Sequence, residues 1–500
     1  MTKPYPDPQL TAAGAIERAR AAAPSLARPT IKERVAHLAR LRSAILARRE
    51  EIIDVVQADT RKSRSDILVS EIFGGLDVVL WCEKNAADAL ADEKVPTPLT
   101  MMGKKSLIAY EPLGVLLVIS PWNYPFYQAI APIALAIAAG DTVVYKPSEH
   151  TPLTGLIESL LEDASFAPNW VQIIYGDGAV GADLLAQGPD KVMFTGSTAT
   201  GKKIMAAAAE QLIPVELELG GKDAMIVFDD VDIDRAVAGA LWGGLTSTGQ
   251  SCTSVERIYV QDGIYDVFVP ALVAGAQAIK QVVDADGDGD IGGMVTEAQV
   301  RVVAEHIADA KAKGATVRTG ADWDGSNPLI PPMVITDIPG DALIASAETF
   351  GPVLPVYRFT TEAEAIERAN ASDFGLTGSV WSKDLDRATR VARALRVGGV
   401  SINNVMATEA TPALPFGGVG NSGMGRYKGV AGLRAFAHAK SMVIDKDSSV
   451  IEANWFPYTK EKHELFTQMM LAWFSDRADR LPRFALFGTK LENYSKKARR

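Results

Sequence analysis

The sequence is poor in the residues from which several kinds of function are built. Its 500 residues include two cysteines, Cys82 and Cys252, and five histidines, His37, His150, His306, His438 and His463. Two thiols allow one disulfide at most, which excludes a disulfide-stapled scaffold and suits a reducing compartment. None of the histidines lies at ligand spacing from another cluster of metal-binding type, so no structural or catalytic metal is expected. A long apolar run is also lacking. The most apolar stretch, 126–140, is broken by Pro132 and ended by Gly140 and Asp141, too short for a bilayer and readable as a buried helix. Positive charge is scarce as well: Lys+Arg number 51 against 61 Asp+Glu, a formal net charge of -10. No nucleic-acid partner held by phosphate neutralisation is expected. The amino terminus has no apolar core of the secretory kind, and Asp7 and Glu17 weaken a transit-peptide reading of the Arg- and Ala-rich stretch that follows; the expectation is a cytoplasmic protein.

What is present is an ordinary globular balance, 47% apolar and 22% charged, in a chain too long for one core. Residues 31–95 repeat apolar positions every three or four residues, the spacing of amphipathic helices. From KSLIAY and GVLLVIS onward, strand-like runs alternate with helical ones through DTVVYKPS, WVQIIYG, KVMFTGS and AMIVFDD. That alternation predicts an α/β protein with a doubly wound, nucleotide-binding style of sheet. From about Asp232 a second α/β series leads through Cys252 and VERIYV to about residue 436.

Three motifs suggest ligands and need weighing. Gly176, Gly178 and Gly181 match G-x-G-x-x-G at a strand-to-helix junction, but the acid expected about twenty residues on is missing, so a tight turn and a phosphate cradle both stay open. Gly196–Lys203, GSTATGKK, nearly makes a phosphate-binding P-loop, except that Lys203 stands where a Ser or Thr should ligate magnesium. An ATPase is disfavoured on that ground, whereas a Gly-Ser turn opening a helix can still hold a pyrophosphate. Asp284, Asp286, Asp288 and Gly289 imitate the start of a calcium loop whose twelfth position is Val295 instead of Glu; a solvated acidic turn is expected.

Cys252 sits in TSTGQSCTSVERIYV at a Gly-flanked junction of helix and strand. A lone cysteine is most often a small buried apolar group; its partners change that reading. Glu218 in ELGGK precedes it by 34 residues, Asn123 lies in SPWNYPF, Lys146 and Glu149 in YKPSE, and Glu348 opens ETFGPV. Seven blocks in order, SPWNYPF, YKPSE, FTGSTATGK, ELGGK, GQSC, ETFGPV and PFGGVGNSGMGR, resemble the aldehyde dehydrogenase superfamily from about residue 30 to 445.

The resemblance implies a Rossmann-like cofactor domain (1–95 and 113–221), a catalytic domain (222–436), a β-hairpin oligomerisation arm (96–112 and 437–445) and a further tail (446–500). It implies Cys252 as nucleophile, Glu218 as base for the hydrolytic water and Asn123 as oxyanion donor. Trp122, Lys146, Glu149, Gly196, Ser197, Gly201, Glu348 and Phe350 would bind NAD, with NADP as the second candidate because Glu149 should repel a 2′-phosphate. A cleft near a helix end and a cationic nicotinamide would favour the Cys252 thiolate. Core positions for Trp122 and Phe350, a helix-start carboxylate for Glu149 and a solvated charge for Lys146 are the plain alternatives.

Two positions depart from the commoner family pattern: Tyr427 in GRYKG stands where many members carry Glu, and Ala347 precedes ETFGP where an acid is frequent. Tyr427 and the tail motif WFPYTKEKHELF resemble the class 3 group, which handles fatty or aromatic aldehydes and forms dimers. The expected reaction is therefore oxidation of a medium- or long-chain aliphatic or aromatic aldehyde, Tyr124 and Tyr127 suggesting an uncharged one. A semialdehyde dehydrogenase of the same superfamily and a catalytically silent scaffold are the alternatives. The tail, with eight basic and three acidic residues over 476–500, would rest on an anionic membrane surface or on another subunit.

Overall fold

Runs such as Val-Leu-Leu-Val-Ile at 115–119 have no polar face, as strands covered on both sides require. In the computed structural model, which describes residues 10–101, 103–281, 289–446 and 451–497, this run is central in a six-stranded sheet. The sheet order is Gly423–Met424, Val215–Glu218, Lys191–Thr195, Val115–Ile119, Thr142–Lys146, Val171–Ile173. Every pairing is parallel except that of the edge strand Gly423–Met424. The helix Tyr127–Ala139 is buried at every residue and shares a core with Leu38, Leu41 and Val79. Gly140 ends it at φ 102, where a Cβ would press on the side chains of Arg34 and Pro112.

The second sheet has seven strands, in the order Thr316–Val317, Met333–Thr336, Val353–Phe359, Val255–Gln261, Asp223–Val227, Thr377–Trp381, Gly399–Ile402. Only the edge strand Thr316–Val317 is antiparallel. The α/β class with two largely parallel sheets is thus present. One expectation is corrected: the run AMIVFDD does not continue the first sheet but lies inside the second. The first sheet takes Val215–Glu218 in its place, a segment whose two carboxylates mask it as a strand. Glu216 is buried there because Lys191 of the adjoining strand pairs with it at 3.0 Å.

Residues up to Ala91 together with Tyr110–Ala439 form one unit, and Asp92–Ala109 with residues from Lys440 form another. In the second, Glu93–Val95 and Lys104–Pro112 make an antiparallel hairpin, Glu93 opposite Ile108, in a three-stranded sheet with Ala437–Asp445. Lys104 pairs with Glu452 at 2.5 Å and with Asp445. The tail folds into two helices, Lys460–Trp473 and Arg480–Lys497, joined by Trp473 and Phe484 with ring centroids 4.9 Å apart. Asp284, Asp286 and Asp288 lie outside the described residues, so their acidic turn is not described.

Candidate active site

Ile119, Lys146, Thr195 and Glu218 are the last residues of four parallel strands. Strand Val115–Ile119 has one neighbour on each side, and the chain leaves these in opposite directions; a crevice forms at the carboxyl ends of such strands. A cavity of about 740 Å³ lies here, lined by Ile119, Trp122, Lys146, Glu149, Gly196 and Ser197 among others. Lys146 Nζ donates to the Pro147 carbonyl at 3.0 Å and stands 3.6 Å from Glu149 Oε2; burial lowers its pKa. Ser197 caps the helix Thr198–Ala209, accepting from Thr200 N, and both residues line the cavity, which sets the positive end of that helix at the groove.

The G-x-G-x-x-G run proves to face the same cavity through Gly178 and Gly181. A Cβ on Gly178 would meet nothing within 4 Å, whereas Gly181 has the Lys146 Cδ at 3.6 Å. Gly201 is placed differently. It does not line the groove; a Cβ there would come within 2.6 Å of Leu219, so it permits close packing of helix on strand.

The groove continues past Pro121, Trp122, Thr195, Gly196 and Ser197 into a cavity of about 300 Å³. Here the fold brings together Cys252, Glu218, Asn123, Glu348 and Phe350. Asn123 Nδ2 donates one hydrogen to the Gln250 carbonyl at 2.9 Å, which leaves its second free to point elsewhere. Glu348 Oε1 accepts from Gly221 N at 2.8 Å, and a Cβ on Gly220 would collide with its carboxylate. Trp122 and Phe350 meet edge to face with centroids 5.5 Å apart. Phe350, at φ 53, is held by Glu256, whose oxygens accept Thr349 N and Phe350 N at 2.8 Å. Glu256 is in turn paired with buried Lys222 at 2.6 Å.

Electrostatically this cavity is acidic. Burial, then the carboxylates of Glu409, Asp223, Glu218 and Glu348, push the Cys252 thiol well above its ordinary range. The protein's own groups therefore favour the thiol, whereas the expected thiolate rested on a helix end together with a cationic nicotinamide. Glu218 is also raised well above its ordinary value, by burial first and by Glu216 second. Both its oxygens are buried without a hydrogen-bond partner among the described residues. Burial, reinforced by Glu256, lifts Glu348 to about 8. Tyr427, buried, packs edge to face on Phe416 at 5.6 Å.

A third cavity, of about 830 Å³, is walled by Asp66, Phe73, Tyr124, Tyr127, Trp242 and Glu409 among others. Tyr124 and Tyr127 were legible as residues near a mouth. Asp66, Phe73, Trp242 and Glu409 were not, because each stands alone in an unremarkable stretch. Gln299, which lines the 300 Å³ cavity, was equally silent. Lys222 was visible within ELGGK as a lysine directly after two glycines, but its burial was not.

Residues 8–442 match the model of the aldehyde dehydrogenase family. The chain belongs to this family. It is 40% identical over 438 residues to 4,4'-diapolycopene aldehyde oxidase of a Methylomonas species, covering 87% of this chain and 82% of that relative. An NADP-dependent enzyme of E. coli superposes with a TM-score of 0.83 at 33% identity, over 87% of this chain and 90% of that one. Betaine aldehyde dehydrogenase of Staphylococcus aureus in complex with NAD+ gives 0.81 at 34%, over 89% of each chain. The family makes this chain an NAD(P)-dependent enzyme, and the groove fits such a dinucleotide. Its roughly 740 Å³ suits a ligand of that size, and a helix amino terminus with a capping Ser and a buried Lys suits a pyrophosphate-bearing one. Among the described residues no helix is long and apolar enough to cross a membrane.

Proposed function

We propose that the protein oxidises an aldehyde to its carboxylic acid, preferring NAD to NADP, through a covalent bond between the substrate carbon and Cys252. The observation that supports this best is the gathering of Cys252, Asn123, Glu218 and Glu348 around one cavity of about 300 Å³. The Cys252 thiol gives up its proton to solvent water and its sulfur adds to the carbonyl carbon as the C=O π pair moves to oxygen, forming a hemithioacetal oxyanion. The second N–H of Asn123 and the backbone N–H of Cys252 donate to that oxygen. When bound, NAD(P)+ supplies the acceptor for the hydrogen and electron pair that leave this carbon. Lys146, Glu149, Gly196 and Ser197 would hold its adenosine and pyrophosphate parts, and Trp122, Glu348 and Phe350 its nicotinamide half. A thioester then remains on Cys252. Water attacks it, Glu218 takes the water's proton, and the C–S bond breaks with the pair returning to sulfur. Burial makes Glu218, once ionised, a stronger base than an exposed carboxylate, as proton abstraction near neutral pH requires.

The 830 Å³ cavity, walled largely by aromatic and aliphatic side chains, supports a medium- or long-chain aliphatic or aromatic substrate. Homodimerisation is assigned to the strand Ala437–Asp445, whose Val443 and Ile444 are exposed. Contact of this cytoplasmic enzyme with an anionic membrane surface is assigned to the tail, where Phe456 and Phe474 are 74% and 80% exposed and Arg477 and Arg480 follow. The mechanism is tested by Glu218→Gln: a first burst of NADH is retained while steady turnover falls on the order of 100-fold. Undiminished steady turnover removes Glu218 from the reaction.

A further inference from the structure

Two loops must stay in register for the chemistry just described, the one carrying Asn123 and the one leading to Cys252, and one short helical stretch touches both. Residues Ile67–Phe73 form a π-helical segment, preceded by the turn Arg64–Asp66. Such widened turns are rare and concentrate at functional sites. Asp66 accepts the backbone N–H of Ser247 at 2.7 Å and the hydroxyl of Thr246 at 3.3 Å. Ser70 Oγ lies 2.6 Å from the Asp66 carbonyl and 2.9 Å from Asp66 Oδ1, sharing its one hydrogen between them. Five residues on, Glu71 accepts the N–H groups of Phe126 and Tyr127 at 2.9 and 3.1 Å. Lys62, paired with Glu71 at 2.8 Å, lies 3.6 Å from the centroid of the Tyr124 ring.

The backbone that Asp66 holds does not sit there by preference. Ser247 and Thr248 are both left-handed, at φ 53 and φ 57, a conformation unfavourable for residues other than glycine and sustained only by surrounding contacts. Gly249 follows at φ 73, where a Cβ would collide with the Gly351 carbonyl. Gln250 comes next; its carbonyl accepts from Asn123 Nδ2 at 2.9 Å. Its side chain ties back to Ser247 O at 2.9 Å and accepts Val295 N at 2.9 Å. A relaxation at Ser247 would therefore reach both Cys252, five residues along, and the Asn123 amide.

We infer that Asp66 is a positioning residue for catalysis: its carboxylate holds the strained Ser247–Thr248 turn so that Cys252 and Asn123 face one substrate carbonyl, while Glu71 on the same segment holds the Asn123 side. The inference rests on the assignment of Cys252 and Asn123 above. Asp66 borders the 830 Å³ cavity but acts through the turn, and needs no contact with substrate.

The test compares Asp66→Ala with Asp66→Asn, whose amide oxygen can still accept from Ser247, using the single-turnover rate of NADH formation per folded enzyme and the KM for NAD+. Asp66→Ala is expected to slow that rate on the order of 100-fold, the cost of a misplacement near 1 Å, with the KM for NAD+ within about twofold of wild type. Asp66→Asn should recover most of the rate. If Asp66→Ala does not fold, Asp66→Ser, one atom too short to reach, takes its place with the same expectation. A rate within about threefold of wild type for the Ala or Ser variant, or an Asn variant as slow as Ala, overturns the inference. Cys252→Ala is assayed alongside: an inactive Cys252→Ala with a fast Asp66→Ala sinks the role of Asp66 alone, whereas an active Cys252→Ala sinks the nucleophile and this inference with it.

Discussion

The two large cavities of the main unit are built in opposite ways. The 740 Å³ groove is made of contiguous stretches at the carboxyl ends of one sheet, YKPS at Lys146, TGS at Thr195 and the glycines at 178 and 181. The 830 Å³ cavity is walled by side chains from five segments far apart in the chain, represented by Asp66, Tyr124, Trp242, Ile291 and Glu409. A phosphate-bearing ligand is held by backbone amides and close chain approach, which dictate local sequence. An apolar substrate is held by surface alone, which many combinations of residues provide. Under the proposed function, the difference teaches that recognition of the coenzyme rests on backbone, and recognition of the aldehyde on side chains.

Substitutions can break or sharpen that contrast. The largest effect is expected at the 300 Å³ cavity that continues the groove: Asn123→Ala should slow NADH formation about 100- to 1,000-fold, with little change in coenzyme affinity by fluorescence titration. A smaller loss, near threefold, would mean that the backbone N–H suffices. The acidic surroundings of Cys252 give the next effect. Its raised pKa means that the reactive thiolate fraction in the coenzyme-free enzyme grows about tenfold per pH unit below that value. Inactivation by iodoacetamide should keep climbing beyond the roughly 8.5 of an ordinary thiol; a plateau at or below that pH contradicts the assignment.

On the substrate side, Trp242, half exposed at the rim of the larger cavity, should matter for long aldehydes and not for short ones. Trp242→Ala is expected to lower kcat/KM about tenfold for a long-chain aldehyde relative to a two-carbon one, the scale on which apolar pockets discriminate. An equal loss for both would show that the cavity does not hold the chain. The smallest effect belongs to the groove: Glu149→Gln should narrow the preference for NAD over NADP several-fold without altering the aldehyde profile, since a carboxylate repels the 2′-phosphate.

The same contrast explains how much was legible in the sequence. The α/β class and the parallel strands followed from apolar runs such as 115–119, and Asn123, Glu218, Cys252, Glu348 and Phe350, which meet at the 300 Å³ cavity, stood in recognisable blocks, whereas Gln299 did not. Gly201 stood in one too, yet it serves helix packing against Leu219, because a glycine block marks close approach without saying of what. The strand Val215–Glu218 was hidden by its own charges. Asp66 and Glu71 were invisible, since their meaning depends on the turns at Ser247 and Phe126, far off in the chain. The acidic surroundings of Cys252 were hidden for a related reason: Glu409, Asp223 and Glu348 reach it only through the fold.

The covalent step is tested most directly by mass spectrometry of the Glu218→Gln enzyme after incubation with an aldehyde and NAD+. The account predicts that the peptide containing Cys252 gains the mass of the acyl group, stoichiometric with the first burst of NADH. An unmodified Cys252 peptide alongside NADH formation, with Cys252→Ala turning over at the wild-type rate, would contradict it.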